Sequence, residues 1–172
     1  MRAALAGWTL SLFGSFAPKA IVDVGSGISI RESPGKGKGA FAARHLPAGS
    51  YLGQYTGIMR TPEAAREAFE RGETSSNYFA TIENGPGGQP LVVDAEDAST
   101  AAWPRYINHS RQRVNCRNTE LNLPLDLPGG LVLGKVSLGL YVQTMRDIAA
   151  DEELLIDYGD SYFSSRGMAE ID

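Results

Sequence analysis

The sequence predicts a mainly β, β-rich α+β domain, and three observations predict it. Short runs of alternating or β-branched residues recur along the chain, each ended by Gly or Pro. Glycine is abundant, 20 of 172 residues against an average near 7%, and this supplies the turns that short strands need. Only one stretch carries a full set of helix signals, and the absence of repeated βαβ spacing argues against a parallel doubly wound sheet.

The elements follow in order. Ile28 and Ile30 alternate with polar neighbours as in a strand, which Ser33-Pro34-Gly35 breaks. Residues 40–43 and 51–55 read as strands joined through the turn Leu46-Pro47-Ala48-Gly49. Residues 61–71 form the best helix: Thr61 can cap it, Pro62 suits its first position, and Gly72 suits the position after its end. Ala65 and Phe69 are expected on its core face. Residues 77–82 and 91–94 predict a hairpin across Gly85-Pro86-Gly87-Gly88, and residues 98–103 a short helix ended by Pro104. Residues 131–133, 138–145 and 153–156 supply the later strands.

The bulk composition narrows function. A chain of this length, 42% hydrophobic and 21% charged, fits one domain with a core of its own. Cys116 is the single cysteine and His45 and His109 the only histidines, so a disulfide is excluded and no metal site is expected. A net charge of -4 disfavours direct nucleic-acid binding and favours a basic partner such as a lysine-rich protein tail. No apolar run approaches the 18 residues or so of a membrane span, so no membrane partner is expected. The opening MRAALAGWTLSLFGSFAPKA has one early Arg and no acid before Asp23, as in a targeting peptide. Gly7, Ser11, Gly14 and Ser15 dilute its apolar stretch and Pro18 spoils the cleavage site, which favours a nuclear or cytoplasmic location over a secreted one.

Three blocks carry chemistry. In GKGKGAFAARHLPAG, residues 35–49, the glycines at 35, 37 and 39 leave backbone amides open to a ligand, although a solvated turn has the same composition. In RYINHSRQRVNC, residues 105–116, Asn108-His109-Ser110 reads either as a polar site element or as a glycosylation sequon on a surface loop. In DEELLIDYGDSYF, residues 151–163, Tyr158 stands at the exit of a strand before Gly159, the place of a reactive phenol or of a core tyrosine. Two other chemistries fit less well. Residues 20–27, AIVDVGSG, imitate the glycine loop of a Rossmann-like methyltransferase, but Pro34 and the glycines after it forbid the helix that must follow. A thiol hydrolase pairing Cys116 with His109 or His45 lacks a third, orienting residue.

Together and in this order the three blocks resemble the SET domain, over residues 28–163, with residues 1–27 as an N-terminal segment and 164–172 as a short tail. The resemblance implies several short curved sheets with one inserted helix and a knot-like C-terminal substructure. It implies a protein-lysine methyltransferase using S-adenosylmethionine, acting on a lysine-bearing protein, of which histone tails are the commonest example in the family. Family positions carry over to Lys36, Gly37, Lys38, Gly39, Ala40, Tyr78, Asn108, His109, Tyr158 and Phe163 as cofactor contacts. They carry over to Tyr158 and Tyr55 as catalytic residues, and to Tyr55, Tyr78, Ile156 and Tyr158 as walls of the lysine channel. Tyr162 or Phe163 is expected to cover the adenine, and Trp8, Phe13 and Phe16 to pack on the domain or mediate a homodimer.

Two departures from the family pattern stand out. Arg111, Gln112, Arg113 and Val114 replace the usual Cys-x-Pro stretch, and Ile156 stands where Phe or Tyr is usual. A tyrosine there would hold a water beside the lysine nitrogen, whereas isoleucine leaves room for dimethyl and trimethyl lysine. A catalytically silent, protein-binding domain is the competing expectation, since Trp103 to Asn108 is similar to the PR branch of the family; Asn108, His109 and Tyr158 together favour activity.

Overall fold

A computed structural model describes residues 27–127 and 131–164, so Trp8, Phe13, Phe16 and the tail beyond Ser164 lie outside the described residues. The expected β-rich class holds. β1 (Ile28–Ser33) and β2 (Gly37–Ala42) pair antiparallel. Between them Gly35 and Gly37 take φ of 76° and 73°, a left-handed conformation that glycine adopts without strain. The sequence places this second strand later, at 40–43; the glycine block is itself strand.

β3 (Tyr51–Gln54), β8 (Cys116–Leu127) and β9 (Leu131–Thr144) form one sheet in the order β3-β9-β8. Its long β8–β9 ribbon was only half legible, because β8 mixes polar residues with Pro124 and shows no clean alternation. β4 (Ile58–Arg60), β5 (Phe79–Ile82) and β6 (Leu91–Asp94) form the second sheet in the order β4-β6-β5, and the β5–β6 pair is the expected hairpin.

Helix α1 (Pro62–Glu70) is capped by Thr61, whose Oγ accepts from the Ala64 amide at 3.2 Å. Gly72 takes φ 71° just beyond it, as expected. The core face needs correction. Ala65 is buried as expected, but Ala68 is its buried companion, and Phe69 is 51% exposed because it lies one position round the helix. A second correction concerns residues 98–103, which form turns; the helical turn is a 3-10 piece at Trp103–Tyr106 that includes Pro104 as its second residue. Proline tolerates that position because its missing N–H has no partner in a first turn.

Two-residue strands β7 (Asn108–His109) and β10 (Leu155–Ile156) pair in parallel, and the short helix α2 (Asp160–Ser164), not expected from sequence, follows. Asn115, only 1% exposed, locks this pairing. Its side-chain oxygen accepts from the Leu155 amide at 2.8 Å and its side-chain nitrogen donates to the Glu153 carbonyl at 2.7 Å. One apolar cluster lies beneath the site, with Leu46, Leu52, Val142, Ile148 and Leu154 at its centre. A second, with Tyr55, Ile82, Val93 and Leu140, fills the space between the two three-stranded sheets. No helix among the described residues is long and apolar enough to cross a membrane.

Candidate active site

Two cavities meet at the C-terminal block. The larger, about 460 Å³, is lined by Lys36, Gly37, Lys38, Asn108, His109 and Phe163, among others. The smaller, about 380 Å³, is lined by Tyr55, Ile107, Leu140 and Ile156. Tyr78 and Tyr158 line both and so stand in the wall between them. Both volumes fall in the range of small-molecule sites.

The fold positions each side chain. The parallel β7–β10 pair sets His109 beside Tyr158, whose backbone N–H donates to His109 Nδ1 at 3.1 Å. That bond leaves the ring proton on Nε2. Gly159, with φ 82°, turns the chain sharply after Tyr158. Across this turn Arg111 makes an ion pair with Asp160 and lies 3.7 Å from Asp157, so the stretch that departs from the commoner pattern braces the turn from outside.

The phenols are committed as donors. Tyr158 donates its hydroxyl proton to the Ile107 carbonyl at 2.6 Å, and Tyr55 donates to the Tyr78 carbonyl at 3.0 Å. Burial pushes both phenols well above the ordinary tyrosine range. Each therefore stays neutral at physiological pH, its oxygen lone pairs left to accept.

On the larger cavity, Lys36 reaches across to donate to the His109 carbonyl at 2.7 Å. Asn108 donates from its side-chain nitrogen to the Lys38 carbonyl at 3.2 Å and to Glu153 Oε1 at 2.9 Å, which leaves its oxygen to accept. Phe163 meets the His109 ring edge-on, with centroids 4.7 Å apart, and Tyr162 tilts against Tyr158 at 4.5 Å.

Two expected contacts sit elsewhere. Ala40 is fully buried in the core and does not line the cavity. Gly39 lies behind the wall, where an added Cβ would stand 2.5 Å from Glu153 Oε1 and 3.1 Å from Asn108 Nδ2. Its lack of a side chain serves that close approach rather than an open amide. Sequence reasoning missed Asn77 and Arg105, which line both cavities. Arg105 stacks over Tyr78 at 4.2 Å and donates to the Ala95 and Glu96 carbonyls, each at 2.9 Å. Its place just before Tyr106-Ile107-Asn108 was the available signal. Cys116 is fully buried, and burial pushes its thiol up to about 12, so the thiol is no nucleophile.

Comparison with known proteins agrees with this architecture. Residues 37–159 match the family model of the SET domain. The chain is 34% identical over 145 residues to N-lysine methyltransferase KMT5A-A of Danio rerio, a match covering 81% of this chain and 37% of that protein. It is 29% identical over 152 residues to histone-lysine N-methyltransferase PRDM16 of Mus musculus, covering 81% of this chain and 11% of that one. The chain thus spans a small part of the curated relatives it matches. The crystal structure of CpSET8 from Cryptosporidium superposes with a TM-score of 0.56 at 24% identity, covering 77% of this chain and 57% of that one, a likeness of fold.

Proposed function

The chain belongs to the SET-domain family, and on that premise we propose that it transfers a methyl group from S-adenosylmethionine to the side-chain amine of a lysine in a basic protein. The observation that carries this reading is the pair of cavities sharing Tyr78 and Tyr158 as a common wall. Such an arrangement lets two ligands enter from different sides and meet at one point.

The larger cavity suits the cofactor by its donor set. Lys36 offers an ammonium to a carboxylate, the Asn108 oxygen can accept from an exocyclic amine, and Phe163 with Tyr162 offers flat apolar cover to a heteroaromatic ring. Gly37, Lys38, His109 and Tyr78 complete the lining. When bound there, the cofactor supplies an electrophilic methyl group on a positively charged sulfur.

The chain's own residues must present a neutral amine. Holding lysine deprotonated at pH 7 costs about 4.6 kcal/mol from its reference pKa. The smaller cavity, walled by Tyr55, Tyr78, Ile156 and Tyr158, removes water from the ammonium and so lowers that cost. Burial raises both phenols, which argues against a tyrosinate base. The two phenols donate to backbone carbonyls, which leaves their oxygens free to accept, and these oxygens would orient the incoming amine toward the methyl group that the cofactor would supply. Ile156 brings no hydroxyl to hold a water, so we assign the site to dimethylation and trimethylation. Several relatives are named as histone-lysine methyltransferases, and we carry histones over as the proposed substrate class, with the nucleus as the proposed place of action.

Isotope-labelled S-adenosylmethionine with core histones and a protein array, read by mass spectrometry, tests this reading. Label on lysine is expected. Calorimetry that detects no binding of S-adenosylhomocysteine at millimolar concentration overturns it, and cofactor binding without transfer to any lysine reduces the domain to a binding module.

A further inference from the structure

A third cavity of about 250 Å³ opens between β5 and β9 on the far side of Tyr55. It is smaller than small-molecule sites of roughly 300–1,000 Å³ and matches a single side chain better than a metabolite. Its lining carries no charge. Ile82, Leu91 and Val93 form its floor, and the only ionisable group, the Tyr55 phenol, already donates to Tyr78. Met59 and Leu138 at its edge are 53% and 43% exposed, so the rim of the cleft is apolar and open to solvent.

The position of this cleft relative to the proposed lysine channel is the informative fact. On β9 Leu140 lines the channel and Leu138 lines the cleft; on β5 Ala80 lines the channel and Ile82 the cleft. On β5 that is an advance of two residues, about 7 Å at the usual rise; on β9 the same step crosses a bulge, where Ser137 to Leu140 opposes Glu120 to Asn122 and Gly139 takes φ 118°. In an extended peptide, side chains two positions apart share one face at that same spacing. Tyr55 divides the two openings.

We propose that this cleft is a substrate subsite that takes an apolar side chain two positions from the methylated lysine. The proposal rests on the reading of the smaller cavity as the lysine channel. Target lysines would then be selected by a Leu, Ile, Met or Phe at one fixed offset, with basic residues elsewhere matching the acidic chain.

Synthetic eleven-residue peptides test it, each with one central lysine, or norleucine in its place, and Leu, Gly or Asp at position -2 or +2. Affinity is read by fluorescence anisotropy with S-adenosylhomocysteine present, and transfer by mass spectrometry with S-adenosylmethionine. Leu at one offset is expected to bind about tenfold more tightly than Gly, and Asp more weakly than Gly. Leu138→Glu and Met59→Glu, both at exposed positions, are expected to abolish the Leu preference while leaving transfer to the Gly peptide within twofold. Equal binding of Leu, Gly and Asp peptides at both offsets overturns the subsite, as does a preference that survives both variants. Transfer without any offset preference leaves the methyltransferase reading standing and the subsite refuted; an offset preference in binding without transfer does the reverse. If wild type sediments as a dimer that Leu138→Glu dissociates, the cleft is covered by a second copy and the proposal falls. Peptides that all fail to bind at millimolar concentration count against both readings.

Discussion

Replacing Tyr158 with phenylalanine separates the work of its hydroxyl from the work of its ring. The ring contacts to His109 at 5.3 Å and Tyr162 at 4.5 Å remain, and so does the backbone N–H that donates to His109. Two things are lost: the 2.6 Å bond to the Ile107 carbonyl and the oxygen proposed to accept in the channel. The first loss leaves a carbonyl of a residue that is only 2% exposed without that partner, which costs about 1–2 kcal/mol of stability. The second loss should lower turnover at least tenfold, about 1.4 kcal/mol of barrier, with cofactor affinity nearly unchanged. Urea unfolding measures the first, steady-state transfer to an identified lysine the second, and calorimetry with S-adenosylhomocysteine the control. Because burial keeps the phenol protonated, the alkaline limb of the pH–rate profile should keep its position in the variant. Unchanged turnover, or a limb that moves, would refute the assignment of Tyr158 as a neutral acceptor.

Ile156→Tyr should restrict the product to monomethyl lysine, read by mass spectrometry at long reaction times, at about 1–3 kcal/mol of overpacking since Ile156 is only 8% exposed. A wild type that already stops at one methyl removes Ile156 from that role. Asn115→Ala should destabilise the fold by about 2–4 kcal/mol in urea, because it strands the Leu155 amide and the Glu153 carbonyl. Glu152 is held down to about 2, chiefly by the hydrogen bond from Arg146, so its carboxylate adds stability above its unfolded pKa near 4.5 and that stability fades as pH falls toward 2. Glu152→Gln should accordingly flatten the loss of stability between pH 4.5 and 2, and an acid-unfolding curve identical to wild type would contradict the pairing.

The parts of the site that sequence made legible are those that local chemistry specifies. Gly35 and Gly37 announce a turn, Thr61-Pro62 and Gly72 bound a helix, and Tyr158-Gly159 marks a sharp exit, each through its own backbone preference. What stayed hidden depends on partners far along the chain. Arg105 reads as one more surface charge until the Ala95 and Glu96 carbonyls are seen to hold it against Tyr78. Asn115 looks like loop until Leu155 and Glu153 arrive beside it. Hydrophobicity points Phe69 inward, yet the buried face of α1 is made by Ala65 and Ala68. Gly39 looks like open loop because glycine-rich composition does not distinguish a cradle from a strand pressed against a carboxylate.

The pairing of β7 with β10 also bears on the order in which the site can be completed during synthesis. Tyr158 meets His109 and Ile107 at sequence separations of 49 and 51, through a parallel contact only two residues long on each side. Non-local closures of that kind form late, after the local hairpins have paired. Emerging from a ribosome, the chain would hold the glycine loop and the Asn108-His109 strand for dozens of residues before the tyrosine that completes both cavities appears. A nascent or clipped chain lacking that block has no shared wall between the two cavities.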